Sequence, residues 1–179
     1  LTEKLLPEFL KEAGYATGWV GKWHLGASPA HTPQARGFTE NFGFIGGGHV
    51  FWNWKPNERQ YTLPIERNGR PVEVTNHLTT VFGDEAGAFV KRHAREPWFL
   101  YLAFNAPHMP NQPTPERLAR FAHLKPPQRA AYAAQVSLMD DAIGAVMDAV
   151  RHSGQEARTL VFFFSDNGGV DWHEERMKT

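Results

Sequence analysis

The 179-residue chain contains no cysteine. Disulfides, thiolate zinc sites and a cysteine nucleophile are therefore excluded within it, and the redox compartment stays open. It also lacks net charge: 19 Lys and Arg balance 19 Asp and Glu, and the sequence pI is about 7.3. No basic stripe points to nucleic acid, and no acidic block points to a solvating tail. No apolar run approaches the roughly 20 residues that span a bilayer. The opening Leu1-Thr2-Glu3-Lys4-Leu5-Leu6 has neither a start methionine nor signal-peptide character, and Glu174 to Thr179 offers no obvious stop. The expectation is an incomplete domain. What is present suits a globular fold: 41% hydrophobic residues, with nine His and six Trp on the high side.

The apolar pattern alternates between helix and strand. Leu5, Leu6, Phe9, Leu10 and Ala13 form a helical stripe, with Pro7 in the first turn and Gly14 as the stop. Tyr15 to Lys22 reads as a buried strand. Residues 27 to 70 read as irregular, apart from a hairpin between Tyr61 and Val74 whose Asn68-Gly69 suits a type I′ turn. Leu78 to His93 predicts a core-facing helix, and Trp98 to Phe104 is a continuous apolar run of the kind a parallel strand covered on both faces requires. A Pro-rich connection from Pro110 to Pro127 leads into a long helix over 128–152, with a stripe of Tyr132, Val136, Met139, Ile143, Val146, Met147 and Val150. Thr159 to Phe164 reads as a third buried strand. The fold class expected is α/β, a mostly parallel sheet flanked by helices.

In such sheets ligands bind beyond the carboxyl ends of the strands. Each of the three expected strands ends in chemically capable residues: Lys22 and His24 in Gly21-Lys22-Trp23-His24-Leu25-Gly26, then His108, then Asp166 and Asn167 in Ser165-Asp166-Asn167-Gly168-Gly169. If the first strand runs through Trp23, Lys22 and His24 share a face. Lys22 suits the binding of an oxyanion, and the histidines suit hydrogen bonding or proton donation to a leaving oxygen. Asp166 and Asn167 offer oxygen ligands to a hard cation, Ca²⁺ or, less well, Mg²⁺; the alternative is a plain turn with Asp166 as a cap. Gly46-Gly47-Gly48-His49, followed by Phe51, Trp52 and Trp54, forms either a pocket wall that stacks on a ring or an aromatic cluster packed under a loop. An Asp pair can hold a metal, but Asp140-Asp141 sits on the polar side of the long helix and reads as solvated or capping. A metal, a lysine and histidines around an oxyanion describe hydrolysis of a sulfate or phosphate ester.

Gly21 to Gly26 closely resembles the second signature of the sulfatases, in the alkaline-phosphatase-like superfamily. Arg36 to Phe44 resembles the family's Gly-Phe-Asp segment with Thr39 in place of Asp, Trp98 to His108 its strand ending in Pro-His, and Ser165 to Gly168 its metal-binding turn. The resemblance implies that Lys22 and His24 contact the sulfate and the surroundings of the nucleophile, that His108 lies by the sulfate and leaving oxygen, and that Asp166 and Asn167 bind Ca²⁺. It also implies a formylglycine nucleophile made from Cys or Ser in a Cys/Ser-x-Pro-x-Arg motif. No such motif is present, and neither are the family's N-terminal Asp pair and the further Lys expected some twenty residues after Asp-Asn-Gly. The chain is thus expected to be the central part, 1–179, of one sulfatase catalytic domain, truncated at both ends and inactive alone. Its substrate would be a small-molecule or glycan sulfate ester, with His49 among the substrate-binding residues; export to the periplasm or outside the cell goes with the family. Competing readings are a phosphoric or phosphonic ester hydrolase of the same superfamily, and a non-catalytic module that binds sulfated glycans.

Overall fold

The computed structural model describes residues 2–52 and 61–169. The chain runs α1 (Leu6–Glu12), β1 (Ala16–Lys22), β2 (Glu40–Phe44), β3 (Ile65–Arg67), β4 (Arg70–Val72), α2 (Leu78–Arg92), β5 (Trp98–Ala103), α3 (Pro115–Arg120) and α4 (Pro127–His152). The strands form one sheet in the order β4-β3-β2-β1-β5. β1 pairs in parallel with both β2 and β5, while β3 and β4 add an antiparallel hairpin beside β2. The sheet is therefore mixed, with a parallel centre. The hairpin turns as its sequence demands, because Asn68 (φ 51°) and Gly69 (φ 76°) both take the left-handed conformation of a type I′ turn.

Alternation along β1 sends neighbouring residues to opposite faces. Val20 joins Phe42, Phe44, Phe51, Ile65, Leu78 and Phe82 in one core, covered by α2. Trp19 joins Trp23 and Phe38 in a second, with Phe99 and Tyr101 packed against it. Burying each phenylalanine of the first core stabilises the fold by about 1.5–3 kcal/mol. On the same side, α4 lies against α2 through small residues. A methyl group at Gly83 would meet Ala142 Cβ at 2.9 Å, and one at Gly87 would meet Ala149 Cβ at 3.6 Å. The buried face of α4 is accordingly Ala130, Ala134, Gln135, Leu138, Ala142, Val146, Ala149 and Val150. Tyr132, Val136, Met139, Ile143 and Met147 of the expected stripe are only half-buried. Large side chains mark the apolar side, but close helix contact selects the small ones beside them.

Three expectations are corrected. Residues 40–44 form a central strand rather than irregular chain. Its Asn41 and Gly43 hide the strand pattern, and pairing on both sides overrides their weak propensity. Within the Pro-rich connection α3 forms, with Thr114 as N-cap accepting from the Arg117 amide. Most consequential, Thr159 to Phe164 is not a buried strand. It pairs with no strand among the described residues, and Phe162, Phe163 and Phe164 are each 77% exposed. Apolar composition makes a strand only where an edge is offered and a face is covered. The stripe on α1 is similarly uncovered: Leu6 and Phe9 are exposed, and only Pro7 is buried.

The parallel centre is closed by glycine. Gly21 pairs with Gly43 on one side and Ala103 on the other. A Cβ at Gly21 would lie 1.9 Å from the Ala103 carbonyl oxygen, and Gly21 itself has φ 116°. Neither backbone can yield without breaking the ladder. Gly21→Ala is expected to lower unfolding free energy by about 3 kcal/mol or more, read as a drop in the denaturation midpoint; an unchanged midpoint would contradict this packing.

Candidate functional site

The carboxyl ends of β2, β1 and β5 lie side by side; the loops leaving them carry the glycine run, His24 and His108, while Asp166 and Asn167 come from the unpaired segment after α4. Lys22 is the last residue of β1. Its Nζ lies 4.0 Å from Asp166 Oδ2, with the lysine side chain 17% and the aspartate 74% exposed. At that separation and exposure the pair adds little stability; what matters is that two groups 144 positions apart share one place. Asp166 also faces the end of β5. Burial raises the Tyr101 hydroxyl's pKa, and the negative charge of Asp166 raises it further.

His24 lies past the end of β1 with φ 55°, so strand alternation does not govern where it points. Its position comes from the loop after β2. The Trp23 and His24 amides donate to the carbonyls of Phe44 and Ile45, both at 3.0 Å. A methyl at Gly47 would sit 2.5 Å from His24 Nε2, and one at Gly48 would sit 2.5 Å from Tyr61 Cε1. The glycine run thus lets two rings, His24 and Tyr61, press against bare backbone. Tyr61 in turn lies 6.2 Å from His108, ring centre to ring centre. His108 is exposed, and its Nδ1 donates to the Met109 carbonyl at 2.7 Å, which leaves Nε2 as the atom available to a ligand.

His49 is placed elsewhere than expected. It is fully buried, with Nδ1 2.6 Å from the Val50 carbonyl and Nε2 2.9 Å from that of Leu63. Burial pushes its pKa below the ordinary value and outweighs the opposing effect of the two carbonyls. It braces the loop from inside and is not a wall of the cleft. Phe51 is likewise buried, stacked on His77 at 5.3 Å, so the aromatic stretch is a packed cluster here; Trp54 lies outside the described residues. Asp140 and Asp141 are solvated, as expected, and Asp141 pairs with Arg117.

Sequence reasoning missed the braces. Asn105, buried just after β5, donates from Nδ2 to the His49 carbonyl at 2.6 Å and so ties the end of β5 to the glycine loop. Gln112 accepts from the Phe51 amide at 2.8 Å, and its own carbonyl accepts from Trp52 Nε1 at 2.8 Å and His77 Nε2 at 3.0 Å. The available signal for Asn105 was a polar residue directly after the apolar run from Trp98 to Phe104, a position where an amide has to find buried partners.

Asp166 and Asn167 match calcium in kind, as carboxylate and amide oxygens, but Ca²⁺ takes about six to eight donors. Among the described residues no three His, Asp or Glu gather to hold a metal. These two could therefore be only part of a ligand set.

The class this defines is an α/β protein with a cation, two imidazoles and an acidic turn at the carboxyl ends of parallel strands. The sulfatase family model matches residues 1–171, and the chain belongs to the sulfatase family. Human N-acetylgalactosamine-6-sulfatase is 36% identical over 94% of this chain and 33% of its own length. The arylsulfatase of Klebsiella aerogenes is 29% identical over 94% of this chain and 48% of its own. The crystal structure of Ps i-CgsB superposes with a TM-score of 0.80 at 36% identity, covering 85% of this chain and 37% of that one, and its complex with k-i-k-neocarrahexaose gives 0.81. The chain thus spans about a third of the length of the first curated relatives it matches.

The braces carry a pH dependence. His77 accepts from the Thr79 amide at Nδ1 and donates to Gln112 from Nε2, an arrangement only the neutral ring provides, and burial holds its pKa below the ordinary 6.5. The unfolded chain then binds more protons than the folded one as pH falls below about 6.5, so stability is full above that value and declines beneath it. The melting temperature is expected to fall between pH 7 and 5, and His77→Asn to flatten that slope; an equal slope in the variant would refute the assignment.

Proposed function

We propose that this chain is the central part of a sulfatase catalytic domain that hydrolyses the sulfate ester of a sugar, with Ca²⁺ as cofactor. The observation that carries the reading is the meeting of Lys22 and Asp166 at the carboxyl end of β1, beside the loop that holds His24. The sugar preference draws on the relatives, one an N-acetylgalactosamine-6-sulfatase and another solved with a neocarrahexaose.

In this reading Lys22 offsets negative charge on the sulfate oxygens as they gain it in the transition state. Its partly buried ammonium strengthens that attraction relative to open water. His24, held against Gly47, donates a hydrogen bond to the sulfate. His108 in its protonated form delivers a proton from Nε2 to the departing alcohol oxygen, since its Nδ1 is already committed to Met109. Asp166 and Asn167 would contribute two of the ligands of Ca²⁺, which supplies positive charge beside the sulfate when bound. The attacking group, a formylglycine on this reading, and the remaining ligands are contributed from outside the 179 residues. The chain alone therefore binds weakly and does not turn over.

The full reading frame and the 179-residue chain should be assayed separately on an aryl sulfate. The former is expected to be active and calcium-dependent, and the latter inert. Lys22→Ala and Asp166→Ala in the full frame should each lower kcat/KM by about 100-fold or more. Turnover by the chain alone, indifference to chelator, or preference for a phosphate monoester would each defeat the proposal.

A further inference from the structure

The groups assigned above deal with the sulfate and the leaving oxygen; none of them recognises the body of the alcohol. The structure sets exposed apolar side chains next to those groups. Leu25 follows His24 and is 57% exposed, Met109 follows His108 and is 51% exposed, and Tyr61 is 36% exposed beside the His108 ring. Exposed apolar side chains are ordinary when scattered, but here each adjoins a polar group of the site.

Tyr61 differs from the other two in being held. Its carbonyl accepts from the Val50 amide at 3.1 Å, which ties it to the glycine loop. One edge of its ring occupies the space that any side chain at position 48 would need, since a Cβ there would come within 2.5 Å of Cε1 and 3.2 Å of Cδ1. Its ring is inclined 38° to that of His108. A ring supported along one edge, free over part of its surface and adjoining the proton donor is a preformed platform. Aromatic side chains suit this use because an apolar face carries a polar tip and few rotatable bonds are frozen on binding.

We infer that Tyr61 is a specificity-determining residue, the surface on which the sugar ring of the sulfate ester rests while His108 reaches its leaving oxygen, and that Gly48 is glycine so that this ring can lie where it does. The inference rests on the sulfatase reading above and concerns the alcohol side of that same site.

The test uses the full reading frame with two substrates, N-acetylgalactosamine 6-sulfate and k-i-k-neocarrahexaose, and inorganic sulfate as a competitive inhibitor. With whichever sugar the wild type hydrolyses, Tyr61→Ala is expected to raise KM about tenfold with a smaller change in kcat, the size expected for loss of one aromatic contact. Tyr61→Phe should bring KM back to within about twofold of the wild type. Gly48→Ala, which displaces the ring without deleting it, should raise KM in the same sense. The Ki of inorganic sulfate should stay constant through the series, because sulfate alone has no ring to rest. An unchanged KM in Tyr61→Ala, or a sulfate Ki that rises in step with KM, overturns the inference and leaves the sulfatase reading intact. A wild-type enzyme that hydrolyses an aryl sulfate but neither sugar overturns the inference alone, and one that hydrolyses none of the three overturns both.

Discussion

Everything in the site depends on how closely three backbones can run. At the last rungs of the parallel ladder the row across the sheet is Gly43, Gly21 and Ala103, and a Cβ on either glycine would collide with a neighbouring carbonyl at 1.9 Å. This row lies directly before the loops that carry Gly46 to Gly48, Lys22 with His24, and Asn105 with His108. Small residues there let the three strand ends finish level and adjacent, so that loops distant in sequence open onto one place. The glycine run after β2 continues the same device one layer out. Bare backbone at Gly47 and Gly48 gives His24 and Tyr61 somewhere to lie.

A second tier holds those loops in place, and it is made of the buried Asn105, His49 and His77 together with the half-buried Gln112. Asn105 grips the His49 carbonyl, His49 sits between the carbonyls of Val50 and Leu63, and Gln112 joins Phe51, Trp52 and His77. Buried hydrogen bonds of this kind add little net stability each, yet losing one partner strands the other. Their effect is to define a single loop arrangement. The histidines thus divide by burial: His24 and His108 are exposed and chemically available, while His49 and His77 are enclosed and structural.

That division shows where sequence reading succeeds and where it stops. Lys22, His108 and Asp166 could be singled out because each lies at or shortly after an apolar run, which is a local property, although the run before Asp166 is not a strand in the structure. The type I′ hairpin at Asn68-Gly69 was visible for the same reason, since two left-handed residues are a local demand. His49 looked like a site residue because it follows three glycines; its burial depends in part on the Leu63 carbonyl, which lies beyond a short window around it. β2 escaped notice because the neighbours that make it a strand lie more than twenty residues away on either side. The buried face of α4 was misjudged because Gly83 and Gly87, on another helix, decide which residues can approach.

The uncovered run from Leu160 to Phe164 has a bearing on how the chain behaves in solution. Five consecutive apolar residues, three of them phenylalanine, form a segment of high β-propensity without charge or proline, the composition that seeds cross-β assembly. β5 stands at the margin of the sheet with one side unpaired among the described residues, so a template for strand addition is also at hand. The nearest charges are Arg158 on one side and Asp166 on the other, gatekeepers at the two ends of the sticky stretch. Replacing Asp166 by an apolar residue would bring the exposed run one position closer to Lys22, with one charge fewer to interrupt it.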